Sequence, residues 1–168
     1  MLSILYRSVA TRPLSTTELI DLCVVSAEKN AKRGITGFLV HYDGVFLQVL
    51  EGPEAFMEPL LETIRADDRH TRFEVLCRDD AVRAQSFGFW SMNIGPLDDA
   101  DMRRTVLADG ADDFAARSLD PDYALAVLTR AYLETCWRAD VDPAARDLRC
   151  GLVPHWAQPT HATGSEAP

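Results

Sequence analysis

Asp43-Gly44 separates two nearly apolar runs, Phe38-Leu-Val-His-Tyr42 and Val45-Phe-Leu-Gln-Val-Leu50, and no other feature constrains the chain as much. Asp-Gly supplies the positive φ angles of a two-residue turn, so the runs read as the strands of a hairpin. Upstream, Leu2, Ile4, Tyr6 and Ser8 fall on one side of an alternating segment that reads as a first strand. Ser15 or Thr16 then caps a helix with Glu18 in its first turn, placing Leu19, Leu22, Cys23 and Ser26 on one face and ending near Asn30. Downstream, Glu51-Gly-Pro53 breaks the strand, and Phe56, Leu60 and Ile64 form the stripe of a second helix over 55–65. Residues 72–77 read as a fourth strand. Residues 89–94 read as a fifth, with Trp90 and Met92 on one face because side chains alternate.

The order is β-α-β-β-α-β-β, which predicts an α+β fold: a ferredoxin-like sandwich with strands one and three adjacent and both helices on one sheet face. This domain spans 1–95. A C-terminal helical pair follows over 96–138, in segments 96–117 and 120–137, the second opening with Asp120 as cap and Pro121 at the first helical position. Tyr123, Val127 and Ala131 form its apolar stripe. Residues 139–168 have the composition of a flexible tail.

The 168 residues leave room for one domain and an appendage. Twenty-six acids against seventeen bases, a net charge of −9, repel phosphate backbones and anionic lipids, so direct nucleic-acid and membrane binding are not expected. No apolar run approaches the roughly 20 residues of a bilayer span, and the N-terminus lacks a signal peptide's basic start. These features point to the cytoplasm. Cys23, Cys77, Cys136 and Cys150 stand singly, without metal-ligand spacing, and read as small buried apolar residues.

Several residues do not fit a plain core. Gln48 lies between Phe46 and Leu50 on one face of a central strand, and a buried amide without partners costs about 1–3 kcal/mol. Tyr6 on the neighbouring strand supplies one partner; a tilt toward water at a sheet edge would supply the others equally well. Asn30 at a helix end and the polar run Asp67-Asp-Arg-His70 are each ordinary alone.

Together they carry a resemblance. Leu5-Tyr-Arg-Ser8, Asn30, Gly34-Ile-Thr-Gly-Phe-Leu39, Asp43-Gly44, Phe46-Leu-Gln-Val-Leu-Glu-Gly-Pro53, Asp67-Asp-Arg-His70, Phe87 and Trp90-Ser-Met92 resemble a BLUF domain, the flavin-using blue-light sensor, over about residues 1–95. The resemblance implies a flavin ring lying between the two helices over the sheet. Ser8, Asn30, Gln48, Arg69 and His70 would be cofactor-binding. FAD is the family expectation, although FMN or riboflavin could engage the same residues. Tyr6, Gln48, Trp90 and Met92 would be photoactive: Tyr6 donates an electron and a proton to excited flavin, Gln48 rotates or tautomerises, and Trp90 with Met92 relays the change.

Lys29, where many relatives carry Asn, and Gln85, where many carry Arg, depart from the family pattern. The resemblance implies a sensor without a catalytic output domain, a homo-oligomer that signals through contact with a separate protein such as a response regulator, a cyclic-dinucleotide phosphodiesterase or a transcription factor. The contact surface would be the Tyr123, Val127, Ala131 stripe or the outer sheet face. The rivals are a light-independent interaction module and an acylphosphatase-like hydrolase, the latter needing an anion-cradling loop where Ser8-Val-Ala-Thr-Arg-Pro13 has one base and no glycine.

Overall fold

Local signals set the element boundaries. The structure, a computed structural model, describes residues 1–88, 91–95, 97–108 and 112–141, the last three of these by their backbone alone. In chain order the elements are β1 (Leu2–Ala10), α1 (Thr16–Ala31), β2 (Thr36–Tyr42), β3 (Val45–Gly52), α2 (Glu54–Arg65), β4 (His70–Asp79), β5 (Asn93–Gly95), α3 (Ala100–Leu107), α4 (Phe114–Arg117) and α5 (Pro121–Val141). Ser15 starts α1 with a full capping box: its side chain accepts from the Glu18 amide, and its own amide donates to the Glu18 carboxylate at 2.9 Å. Asp43 and Gly44 turn the hairpin with φ of 49° and 70°.

The strands lie in the order β4-β1-β3-β2-β5. β1 runs antiparallel to both β3 and β4, and β5 runs parallel to β2. This is the split βαβ arrangement expected from the element order. β3 is central, and all eight of its residues are buried. On one sheet face, α1 packs Leu19, Cys23 and Ala27 against Leu39, Phe46 and Met92, while α2 packs Met57 and Leu61 against Leu2, Ile4 and Leu50.

The opposite face is covered by the C-terminal helices. Phe38, Val40, Leu47 and Val49 meet Met102 and Val106 of α3, Phe114 of α4, and Val127, Leu128 and Ala131 of α5. Phe38, fully buried, packs 6.3 Å from the Phe87 ring and 5.4 Å from that of Tyr132. Truncating it to alanine would cost about 3–5 kcal/mol.

Five expectations are corrected. Val127 and Ala131 are wholly buried and Tyr123 is partly so, which means that this stripe and the outer sheet face cover each other and neither is a free docking surface. The first of the two expected C-terminal helices is divided, because Ala108 takes φ 49° and ends α3 before α4 begins. Phe56 is 45% exposed; of the stripe read from sequence, Leu60 and Ile64 pack partly buried against the core, and the most deeply buried residues of α2 are their neighbours Met57 and Leu61. β5 is only three residues long, and Ser91 and Met92 lie in a bend before it. Cys77 is exposed on edge strand β4. Trp90, Cys150 and the tail from 142 onward lie outside the described residues.

Candidate functional site

Strand register builds the floor of the site. Tyr6 pairs with Gln48 across β1 and β3, and Gln48 pairs with Leu39 across β3 and β2, so these side chains share the face that carries α1 and α2. Over them, between the two helices, lies a cavity of about 400 Å³ lined by Leu22 and Asn30 of α1, Leu60 and Ile64 of α2, and Ser8, Phe46, Arg69, His70 and Met92. Its walls combine apolar side chains of the sheet and both helices with polar ones, Asn30, Gln48, Arg69 and His70 among them, a mixture that suits a small molecule with a polar edge.

A hydrogen-bond chain crosses the floor. The Tyr6 hydroxyl donates to Gln48 Oε1. With that oxygen turned to the phenol, Gln48 Nε2 is presented to Met92 and donates to its sulfur at 3.0 Å. All three side chains are buried. Burial raises the Tyr6 pKa, and the Asp67 charge adds to the effect, so the phenol is protonated at neutral pH. The sheet-edge alternative for Gln48 is thereby set aside: β3 is central, and the amide finds its partners inside.

The remaining predicted residues surround this floor. Asn30, in the last turn of α1 and buried, donates through Nδ2 to the Ser91 carbonyl at 2.9 Å, tying the helix end to the bend that carries Met92. A second amide hydrogen and the carbonyl oxygen remain for another partner. Arg69 is turned to Asp67, its Nε donating to both carboxylate oxygens at 2.9 and 3.1 Å. This hydrogen bonding holds the Asp67 pKa at about 2. Burial pushes the His70 pKa down against the opposing Asp67 charge, favouring the neutral ring.

Two buried atoms on the lining, Ser8 Oγ and His70 Nδ1, have no hydrogen-bond partner among the described residues. Unpartnered buried polar atoms are rare in folded proteins. Together with the Asn30 amide they suit a flat, mostly apolar ring system with a polar edge, and the residues present therefore fit a flavin. Lys29 also lines the cavity.

Two residues have roles that periodicity did not reveal. Gln85 donates through Nε2 to the carbonyls of Gly34 at 3.0 Å and Glu51 at 3.1 Å, stapling the chain after β4 to the ends of β2 and β3. Glu51 is buried, its carboxylate accepts from the Phe87 amide at 2.9 Å, and burial raises its pKa. An acid closing a central strand that is apolar apart from Gln48 was the available signal. At the hydrolase rival's loop, Arg12 is committed to Glu18 at 2.6 Å and to the Pro13 carbonyl at 3.1 Å, leaving no anion cradle there.

Comparison with known proteins places this geometry. A family model described as BLUF, sensors of blue light using FAD, matches residues 1–93. The beta subunit of the photoactivated adenylate cyclase of Euglena gracilis is 44% identical over 66 residues, 39% of this chain and 8% of that protein, so the chain spans a small fraction of that relative's length. The solved structure of BlsA in its photo-activated state aligns with a TM-score of 0.66 at 26% identity, covering 78% of this chain and 94% of that one. BlrB, a BLUF protein in its dark state, aligns at 0.62 and 27% identity, over 77% and 92% of the two chains. With a family match across more than half its length and the Tyr6, Gln48 and Met92 chain beneath a flavin-sized cavity, the chain belongs to the BLUF family, the sensors of blue light using FAD.

Proposed function

We propose that this chain is a blue-light photoreceptor that holds a flavin non-covalently between α1 and α2 and passes its signal to a separate protein by contact. The observation that carries the reading is the buried chain from the Tyr6 hydroxyl through the Gln48 amide to the Met92 sulfur. Bound FAD supplies the absorption of blue light and an acceptor for one electron; FMN or riboflavin would present the same ring. Ser8, Asn30, Arg69 and His70 hold the cofactor, and Tyr6 is the donor, its hydroxyl proton already aimed at Gln48 Oε1.

The amide is the switch. A thioether accepts but cannot donate, so Met92 is satisfied only while Gln48 presents its NH₂. Rotating the amide turns Oε1 toward the sulfur, removes that bond and frees Met92, which gives the two arrangements a switch needs. Met92 leads directly into β5, and Gly95 of that strand lies against α5 so closely that an added Cβ would stand 3.0 Å from Ala131 Cβ. The signal therefore runs from Gln48 through Met92 and β5 to the C-terminal helices. Trp90, the second relay residue read from sequence, is outside the described residues.

The boundaries 1–95 for the sensor and 96–138 for the extension suit this route, as do a homo-oligomer and a separate partner such as a response regulator, a cyclic-dinucleotide phosphodiesterase or a transcription factor. Among the described residues no helix is long and apolar enough to cross a membrane. The test is the absorption spectrum of the purified protein in the dark, under blue light and during recovery. A yellow protein with a small reversible red shift is expected. Bound flavin without a shift would remove the switch, and a colourless protein that takes up no added flavin would remove the cofactor.

A further inference from the structure

We propose that the chain carries a second small-molecule site, a cavity of about 330 Å³ at the outer edge of β5, which takes a neutral, ring-sized molecule bearing a carbonyl or amide. Among the described residues β5 pairs with β2 alone and ends the sheet. At that edge the two helical layers meet, and the cavity between them is bounded by Leu19 of α1, by Ile94, and by Leu97 and Met102 on the opposite side. None of its lining residues lines the flavin cavity, so the inference is independent of the photoreceptor reading.

Three buried polar atoms on this lining, His41 Nε2, Asn93 Nδ2 and Thr135 Oγ1, have no hydrogen-bond partner among the described residues. Asn93 is fully buried and Thr135 is 2% exposed, so neither reaches bulk water. Native interiors seldom leave one such atom unsatisfied, and three around one cavity mark a place built for a polar ligand edge.

The donors define that edge. Asn93 Oδ1 accepts from the Ile94 amide at 2.8 Å, which fixes the side chain so that its NH₂ is the group left to donate. The Thr135 hydroxyl and the neutral His41 ring can each give or take a hydrogen bond. A carbonyl therefore meets Asn93, and an adjacent donor or acceptor meets Thr135 and His41. Charge at the lining argues against an anion. Arg138 is already bound to Glu134 at 2.9 Å and to Asp99 at 3.2 Å, while Asp98 accepts from the Thr16 hydroxyl at 3.0 Å and has no paired cation among the described residues. The apolar remainder accepts a ring.

The test uses the purified full chain, labelled with ¹³C at Met, Ile and Leu methyls and titrated by NMR with benzamide, then with benzoate as its anionic counterpart. Saturable shifts of Met102 and Leu97 with Met92 unmoved are expected, with benzoate weaker. Thr135→Val, which keeps the shape and removes the hydroxyl, should weaken benzamide about tenfold. Asn93→Leu should do the same, and Thr135→Val serves alone if the leucine variant fails to fold. No saturable benzamide shift, equal binding by a folded Thr135→Val, or benzoate binding as tightly as benzamide would each overturn the proposal.

Discussion

Tyr6→Phe tests the floor of the flavin site most directly. Tyr6 is 4% exposed and its hydroxyl is the donor that satisfies Gln48 Oε1, itself on a side chain 5% exposed. Removing the hydroxyl strands that oxygen in the interior, at a cost of about 1–3 kcal/mol. In a chain of this size each kcal/mol lowers Tm by roughly 2–4 °C, so a loss of about 2 kcal/mol lowers it by about 4–8 °C. Gln48→Leu strands the phenol instead and should cost a similar amount, since the Met92 sulfur is a weak acceptor and loses little. The double variant removes both partners and leaves no orphan. Its destabilisation should fall short of the sum of the single variants by about 2 kcal/mol. Denaturant unfolding of the flavin-free protein in the dark measures all four corners of this cycle. Spectra of the loaded variants complete it, with flavin retained and the lasting red shift lost in each single variant. Additive stabilities would refute the reasoning about the pair, and a normal light-induced shift in Tyr6→Phe would remove Tyr6 as donor.

Other perturbations separate the remaining parts. Asn30→Ala should weaken flavin retention and loosen the Ser91 bend, seen as a lower flavin-to-protein ratio after dialysis; a full complement with an unchanged spectrum would contradict the assignment. Gly37→Ala would place a Cβ 2.8 Å from Leu50 Cδ2 and 3.2 Å from the Met92 sulfur, so it should cost about 1–3 kcal/mol and change the dark-recovery rate by displacing Met92. Asp67, whose carboxyl pKa is lowered from 3.8 to about 2, stabilises the fold above its unfolded pKa and loses that contribution as pH falls through the folded value. Asp67→Asn should therefore flatten the acid limb of the stability curve between about pH 4 and 2, measured by thermal melts across that range.

What local chemistry dictates was legible in the amino-acid sequence. The Asp43-Gly44 turn, the Ser15 and Glu18 cap and the alternation around the helices gave the element order, and chain-handedness rules turned that order into a sheet with strands one and three adjacent. The amide of Gln48 was visible as a group an apolar strand does not need, and Tyr6 as its neighbour follows from the same topology. The exposure of Phe56 on α2, the three residues of β5 and the burial of Val127 and Ala131 were decided only by tertiary packing. Periodicity identifies an apolar face but does not say what covers it, and here the C-terminal helices cover the second face of the sheet. The Met92 sulfur against the Gln48 amide and the polar atoms of His41, Asn93 and Thr135 around one cavity unite residues distant in sequence. Such meetings are set by how layers pack in three dimensions, which no local pattern encodes.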